Sequence, residues 1–440
     1  MQLIQSTYLV DLLSTITQRN RAAPPAHDSR SPRELAELLL TDLGDVSSSK
    51  VSRALLARYR DSTPDEKRAF FDMLAETFDL DGDALAALAR SYAADRSPET
   101  LAALTACAEP RRQELLRRLN RVPGATADLV AMRCDLLAMA REAPALAVIA
   151  HDFLHLFRSW FNQGFLVLRR IDWNTPASIL EKIIAYEAVH AIHSWDDLRR
   201  RLLPEDRRCY AYFHPAMPDE PLIFVEVALT RGIAGNVQAV LAEDRAALSA
   251  EDVDTAVFYS ISNCQKGLRG ISFGNSLIKQ VVEDLHGELP GLKTFVTLSP
   301  IPGFRRWAEA QLPELPAEQA SALAEAMQRA QTCAPGAEAL RAHVAQYLVR
   351  ERHPRGGPLD PVARFHLGNG ALVHDIHLGA DRSDNGLRQS CGAMVNYLYD
   401  LNQIDSNIEG HSTQGTVAHA RALAPLLKST AVAARAPAKT

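Results

Sequence analysis

The segment AVFYSISNCQKGLRGISFGNSLIKQVV, residues 256–282, decides the fold class of this chain. Its first part, residues 256–262, is rich in β-branched and aromatic side chains and predicts a strand. Apolar residues at positions 277, 278, 281, 282 and 285 repeat with the period of one helical face, and Gly287 and Pro290 then stop the helix. A strand, a glycine-rich loop and a helix in this order indicate a sheet that packs against helices.

The loop between this strand and this helix is suited to bind an anion. Gly267 and Gly270 allow a ligand to approach the backbone closely, and Lys266 and Arg269 add positive charge. The first N–H groups of the following helix present the positive end of the helix dipole. The glycines at 267, 270 and 274 match neither the P-loop spacing nor the dinucleotide-binding fingerprint.

This loop resembles the pyrophosphate loop, Gln/Arg-x-x-Gly-x-Gly/Ala, of the GCN5-related acetyltransferase fold, which holds coenzyme A. A glycine-rich turn that binds nothing is the structural alternative. The resemblance implies a cofactor-binding set made of Gln265, Lys266, Gly267, Leu268, Arg269, Gly270, Gly274 and Asn275.

The composition is that of an ordinary globular protein. The formal net charge of -5 at pH 7, without a long run of Lys or Arg, indicates no nucleic-acid partner. Six scattered cysteines predict reduced thiols rather than disulfides or a zinc site. The sequence has neither an apolar run of transmembrane length nor the features of a secretory signal. We therefore expect a cytoplasmic protein that does not insert in membranes.

The first part of the chain predicts an all-helical domain over residues 1–163. Through residue 150 the glycines are Gly44, Gly82 and Gly124, whereas Ala, Leu and Arg are frequent. Helical periodicity covers residues 34–43, 67–78, 84–92, 111–119 and 127–141. Ser/Thr-Pro-acidic strings at 62–66 and 97–99 are helix-start signals. We expect this domain to serve in oligomer formation or as a lid, with simple packing on its neighbour as the alternative.

The second part predicts a mixed α/β domain over residues 164–420. Strand patterns occur at 165–168, 222–229, 256–262 and 294–298. Helical patterns separate them, at 177–193 and 274–286, and a further helical stretch covers 311–350. The patterns thus predict an all-helical bundle followed by a mixed sheet, and the resemblance of the loop implies that this sheet is like that of the GCN5-related acetyltransferases. Residues 421–440 predict a helix that frays into a disordered tail.

Further motifs identify a family. The strings Ser-Pro-Ile-Pro-Gly-Phe at 299–304, Phe-His-Leu-Gly-Asn-Gly-Ala at 365–371 and Ser-Cys-Gly-Ala-Met-Val-Asn-Tyr-Leu-Tyr at 390–399 occur in this order. Together with His214-Pro215 and Glu220-Pro221-Leu222-Ile223, they resemble malonyl-CoA decarboxylase over roughly residues 150–405.

This resemblance implies an active site with a Ser/His dyad, formed by Ser299 and His366. Both would bind the malonyl carboxylate or the thioester oxygen, and His366 is the favoured proton donor to the acetyl carbanion. Ser260 and Tyr399 also lie on family-matching strings and are candidates to complete the pocket, with packed strand residues as the alternative. Ser272 stands where relatives have an acidic residue, so we assign it no role. The family precedent further implies malonyl-CoA and acetyl-CoA as ligands and a homotetramer.

The chemistry of this reaction needs few protein groups. When the C–C bond breaks, the thioester oxygen takes up the electron pair as an enolate, so neither metal, biotin nor pyridoxal is required. The protein must orient the carboxylate, stabilise the oxyanion and protonate the carbon. We expect no cofactor beyond the CoA moiety of the substrate, and no metal site.

Other functions stay open at this point. A CoA-dependent N-acyltransferase would use the same loop but needs an amine acceptor, and an acyl-CoA sensor or scaffold would bind without turnover. The pairs His151/His155, His190/His193 and His374/His377 have suggestive spacing but lack neighbouring ligand clusters, which favours ordinary histidines over zinc ligands. The absence of a Gly-x-Ser-x-Gly string disfavours an α/β-hydrolase.

Overall fold

The computed structural model of the chain describes residues 28–271, 273–332, 334, 336–354 and 356–429. It divides into two compact units. The first comprises residues 28–166 with the two short stretches His214–Pro218 and Gln265–Ile271, and the second holds the remaining described residues. We predicted one domain boundary, at residue 163, whereas the first unit in the structure also includes these two later stretches.

The first unit is helical. Its helices are α1 Pro32–Leu39, α2 Asp45–Asp61, α3 Pro64–Thr77, α4 Gly82–Ala94, α5 Pro98–Cys107, α6 Arg111–Leu119, α7 Ala125–Met139 and α8 Ala147–Trp160. Ser31, Thr63 and Ser97 cap their helices, each followed by a proline at the first helical position. Helix α2 lies between two predicted helices and was not itself predicted. Its buried residues Leu55 and Tyr59 form a core face that we did not identify from the sequence.

The second unit contains an eight-stranded mixed sheet. Its strands are β1 Val167–Ile171, β2 Arg207–Phe213, β3 Ile223–Thr230, β4 Thr255–Asn263, β5 Thr294–Thr297, β6 Ser299–Pro300, β7 Leu372–His377 and β8 Met394–Leu398. The strand order is β1-β2-β3-β4-β5-β8-β6, and β7 also pairs with β8. All described pairs are antiparallel except β4 with β5. The predicted order, a helical region followed by a mixed-sheet domain, is confirmed.

Helices pack on this sheet and connect its strands. They are α9 Ala177–Tyr186, α10 Trp195–Leu202, α11 Val237–Leu241, α12 Gly274–Glu288, α13 Phe304–Gln311, α14 Ala317–Gln331, α15 Ala339–Val349, α16 Pro361–Gly368, α17 Asp384–Ser390, α18 Ile404–Gln414 and α19 Ala424–Ser429. No helix in the described part of the chain is both long and apolar enough to cross a bilayer.

Two predicted elements, one strand and one helix, have bounds that differ from those in the structure. The strand expected at 165–168 begins at Val167, because residues Gln163–Phe165 form a 3-10 turn. The helix expected over 177–193 ends at Tyr186. Beyond it the carboxylate of Glu187 accepts the N–H groups of Val189 and His190, which holds this stretch as a loop.

The C-terminal prediction is tested only in part. Helix α19 follows a 3-10 turn at Arg421–Leu423, and the side chains of Leu423 and Leu427 are buried. Residues 421–429 are therefore packed helical structure, whereas the rest of the predicted tail, 430–440, lies outside the described residues.

Candidate active site

Strands β4 and β5 stop pairing where β5 ends, and Ser299 lies two residues beyond this point. Strand β5 pairs with β4 up to the partners Thr297 and Phe258. On its other side β5 already pairs with β8, through Val296 and Leu398, and Ser299 continues this pairing at Val395. Pro300 follows and has no N–H to donate, which ends β6 after two residues. The predicted serine at a strand end thus lies just beyond the point where the chain stops pairing with β4 and continues along β8.

His366 lies in the last turn of α16. The carboxylate of Asp360 caps the start of this helix, and Pro361 occupies its first position. Beyond the helix, Gly370 has a φ of +83°, and a Cβ at this position would lie 2.6 Å from the carbonyl oxygen of Ile404. Only glycine fits there without strain, so the Gly368-Asn369-Gly370 string fixes how the helix carrying His366 ends.

Four side chains form one chain of hydrogen bonds. The Nε2 atom of His366 lies 3.1 Å from Oγ of Ser299, and its Nδ1 atom lies 2.8 Å from the hydroxyl oxygen of Tyr399. The hydroxyl of Ser299 donates to Oγ1 of Thr297 over 2.8 Å. The structure therefore brings together three residues predicted from sequence, and adds Thr297, which we did not predict.

The imidazole is enclosed by aromatic side chains. The ring of His366 stacks on Tyr397, with centroids 4.6 Å apart and an interplanar angle of 25°. His366 is 2% exposed, and burial lowers its pKa to about 3. Burial also raises the pKa of Tyr399 well above its usual value. In the free protein both groups are therefore neutral at physiological pH.

This burial predicts a contribution of His366 to the pH dependence of stability. In the unfolded chain this histidine has a pKa near 6.5 and binds a proton below that pH, whereas in the folded protein it stays unprotonated. The free energy of unfolding therefore falls as pH falls below 6.5. Between pH 7 and pH 5 this lowers the free energy of unfolding by about 2 kcal/mol. We expect His366→Gln to lack this contribution, which urea unfolding of both proteins at the two pH values measures. An equal loss in the variant would contradict the buried, neutral histidine.

Ser260, the other predicted pocket residue, takes part in a buried cluster on β4. Its hydroxyl donates to the carboxylate of Glu187 over 2.8 Å, and Ser262 donates to the same group over 3.2 Å. Ser260 is 2% exposed. Glu187 is not predictable as a member of this cluster, because the sequence pattern places it in the interior of a helix. A contact of Ser260 with substrate stays a prediction.

The predicted CoA loop, Gln265–Gly270, folds with the helical unit. Gly267 packs on helix α7, where a Cβ would lie 2.0 Å from the carbonyl oxygen of Val130. The guanidinium of Arg133, also on α7, donates to the carbonyls of Gly267 and Arg269 over 2.5 and 2.9 Å. Lys266 and Arg269 have exposed side chains. A glycine at position 267 is thus required for the packing of the loop on α7. We did not identify this requirement from the sequence.

The remaining predicted loop residues lie at the start of α12. Gly274 and Asn275 are its first two residues. Ser272, to which we assigned no role, lies outside the described residues. Across the described ranges no three His, Cys, Asp or Glu side chains are grouped so that they could hold a metal ion.

The family models match this chain over both parts. The malonyl-CoA decarboxylase C-terminal domain matches residues 164–436, and the malonyl-CoA decarboxylase N-terminal domain matches residues 78–161. The chain belongs to the malonyl-CoA decarboxylase family. The resemblance inferred from the motifs is therefore confirmed.

Relatives and solved structures agree with this family. The mitochondrial malonyl-CoA decarboxylase of Anser anser anser is 37% identical over 333 residues, which are 68% of this chain and 66% of the relative. That of Rattus norvegicus is 35% identical over 336 residues, 68% of this chain and 67% of the relative. The matched part is thus about two thirds of the length of these relatives.

Two crystal structures of malonyl-CoA decarboxylases are similar over most of this chain. The structure from Rhodopseudomonas palustris has a TM-score of 0.84 and 49% identity, and covers 90% of this chain and 99% of its own. The structure from Agrobacterium vitis has a TM-score of 0.85 and 48% identity, with the same coverage of 90% and 99%. The malonyl-CoA decarboxylase fold of this chain therefore includes the helical unit as well as the sheet.

Sequence reasoning missed three residues around the dyad: Thr297, Asn396 and Tyr397. A signal for the first existed, since Thr297 and Ser299 are two apart in an extended segment and therefore share a face. The signal for Asn396 and Tyr397 was the Asn-Tyr-x-Tyr string, which we used for Tyr399 alone.

Proposed function

We propose that this chain is a carboxy-lyase that converts malonyl-CoA to acetyl-CoA and CO2. The observation that carries the proposal is the buried hydrogen-bonded chain of Ser299, His366 and Tyr399 in a member of the malonyl-CoA decarboxylase family. A serine hydroxyl and an imidazole are the two groups that this reaction needs for binding an oxyanion and for protonating carbon.

The proposed reaction has two bond changes. The bond between the carboxylate carbon and the α-carbon breaks, CO2 leaves, and the electron pair delocalises onto the thioester oxygen as an enolate. A proton from His366 then forms the new C–H bond of acetyl-CoA. Each turnover consumes one proton, so the imidazole must recover a proton from solvent. No cofactor beyond the CoA moiety takes part, because the thioester accepts the electrons.

The low pKa of free His366 is compatible with this role because the substrate is an anion. A carboxylate placed beside the buried ring favours the imidazolium form and raises the pKa of His366. The acid is therefore formed when malonyl-CoA binds, and it is absent from the free enzyme. The ring remains oriented throughout by Tyr399 and by its stacking on Tyr397.

We propose that the loop Gln265–Gly270 binds the pyrophosphate of CoA. Its exposed cations, Lys266 and Arg269, are available to phosphates, and Arg133 holds two of its carbonyls. Neutralising both cations, as Lys266→Gln and Arg269→Gln, should raise KM for malonyl-CoA more than it lowers kcat. The control pair Arg90→Gln and Arg96→Gln removes the same charge from exposed positions of the helical unit. A fall in kcat at unchanged KM would place the phosphates elsewhere.

The experiment that tests the function is CO2 release from malonyl-CoA alone, with a chelator present. Wild-type protein should release CO2 and form acetyl-CoA, whereas the double variant Ser299→Ala, His366→Ala should not. Tight binding of malonyl-CoA without release would instead indicate a sensor or scaffold. Product formation only after an amine is added would indicate an N-acyltransferase.

We further propose a homo-oligomer, a tetramer by family precedent, located in the cytoplasm. Helices α4 and α5 have no buried residue, although Leu101 and several alanines make them apolar, which supports their use as an assembly surface. The described cysteines 107, 134, 209, 264 and 391 are free thiols, which supports a reducing compartment. Light scattering would give the mass as a multiple of 48.3 kDa.

A further inference from the structure

Thr297 is the residue to which the serine of the dyad donates its hydrogen. It is the last residue of β5, fully buried, and its side chain lies on the same face as that of Ser299. The hydroxyl of Ser299 donates to Oγ1 of Thr297 over 2.8 Å. The backbone N–H of Tyr397, on β8, donates to the same oxygen over 3.2 Å. Both lone pairs of this oxygen are therefore occupied by donors.

Strand β8 also fixes the main chain of Thr297. The side-chain amide of Asn396 donates to the carbonyl of Thr297 over 2.8 Å and to the carbonyl of Ala234 over 3.1 Å. The oxygen of this amide lies 2.5 Å from Nε2 of His377. Asn396 is completely buried. Thr297 is thus held through both its carbonyl and its hydroxyl, and its acceptor oxygen has a fixed position.

A fixed acceptor at Thr297 determines which nitrogen of His366 carries the hydrogen. Since Ser299 gives its only hydrogen to Thr297, its oxygen must accept at the 3.1 Å contact with Nε2. A neutral imidazole has a single N–H, so Nδ1 is then unprotonated and accepts from the hydroxyl of Tyr399 at 2.8 Å. The hydrogen bonds are then all donated in one direction: Tyr399 donates to His366, which donates to Ser299. Ser299 in turn donates to Thr297.

We propose that Thr297 is a positioning residue that keeps His366 in the Nε2–H tautomer. Its oxygen draws the hydrogen of Ser299 away from the imidazole, so that the ring nitrogen facing Ser299 carries a hydrogen before substrate arrives. The inference rests on the proposed roles of Ser299 and His366 and deepens them. Without this acceptor, the hydroxyl of Ser299 would turn to Nε2, and the ring hydrogen would move to Nδ1, toward Tyr399.

The test compares Thr297→Val, which removes the acceptor at nearly the same volume, with Thr297→Ser, which keeps it. Solid-state 15N spectra of histidine-labelled protein without ligand report the tautomer, and His366→Gln identifies the signals of His366. We expect the Nε2–H form in the wild type and in Thr297→Ser, and the Nδ1–H form in Thr297→Val. An Nδ1–H form in the wild type, or an unchanged tautomer in Thr297→Val, would overturn the proposal.

Kinetics give a second readout. Thr297→Val should lower kcat about tenfold, the factor expected for one hydrogen bond, with KM nearly unchanged, and Thr297→Ser should restore most of kcat. Equal loss in both variants would show that packing of the threonine methyl matters instead, and would also overturn the proposal. Because the spectra need no substrate, they test the tautomer even if the wild type fails to release CO2, which alone would refute the proposed function.

Discussion

Replacing His366 by alanine is expected to lower kcat for malonyl-CoA decarboxylation by about 10²–10⁴, the usual range for loss of a general acid or base. The imidazole is the group in hydrogen-bond contact with Ser299 that can become an acid when an anionic substrate binds. Steady-state CO2 release, measured at saturating malonyl-CoA, gives this number directly. KM should change much less, because the proposed proton transfer occurs in the transition state.

Two controls separate chemistry from packing. His366→Gln keeps a polar side chain of similar reach between Ser299 and Tyr399 but cannot supply a proton, so its kcat should be as low as that of His366→Ala. His193→Ala removes an exposed histidine from the same unit and should leave kcat unchanged. Near-normal turnover in either His366 variant would remove the imidazole from the mechanism.

Replacing Gly267 by alanine is expected to disrupt the loop Gln265–Gly270, which we propose binds CoA, and to destabilise the helical unit. The new methyl carbon would lie 2.0 Å from the carbonyl oxygen of Val130, so the loop must move away from helix α7. Overpacking of this kind costs about 1–3 kcal/mol, which corresponds to a fall of roughly 5 °C in the melting temperature. The movement should also weaken the bonds from Arg133 and raise KM for malonyl-CoA.

The matched control for this substitution is Gly82→Ala. Gly82 is an exposed first residue of α4, in the same unit, and a Cβ there would meet nothing within 4 Å. Since alanine favours helix more than glycine does, this variant should be as stable as the wild type or slightly more so. A melting temperature for Gly267→Ala equal to that of Gly82→Ala would show that the loop does not pack on α7 as the structure has it.

The local part of the site was predictable from the sequence. Strand β4, the glycine loop and helix α12 follow from periodicity and from stop signals, and the structure has all three close to their predicted bounds. Gly368-Asn369-Gly370 indicated a helix end, and His366 lies in the last turn of α16. These features depend on interactions between residues near in sequence, which a single sequence displays.

Features that depend on distant residues were not predictable. Strands β2, β7 and β8 were not identified, because their residues become strands by pairing with segments far away in the chain. The carboxylate of Glu187, the residue that follows helix α9, accepts hydrogen bonds from Ser260 and Ser262, which lie more than seventy residues later in the chain. The packing of Gly267 against Val130 of the helical unit also depends on residues far apart in the chain, while its contact with phosphate stays a prediction.

The hydrogen bonds of the site depend on strand β8, which is the last strand of the sheet to be synthesised. The bonds that hold Thr297 join it to Asn396 and Tyr397, which lie 99 and 100 residues later, and Tyr399 follows them. A ribosome-bound chain that already contains Ser299 and His366 still lacks these partners until β8 has emerged. The complete chain of hydrogen bonds from Tyr399 to Thr297 can therefore form only after the last strand of the sheet has been synthesised.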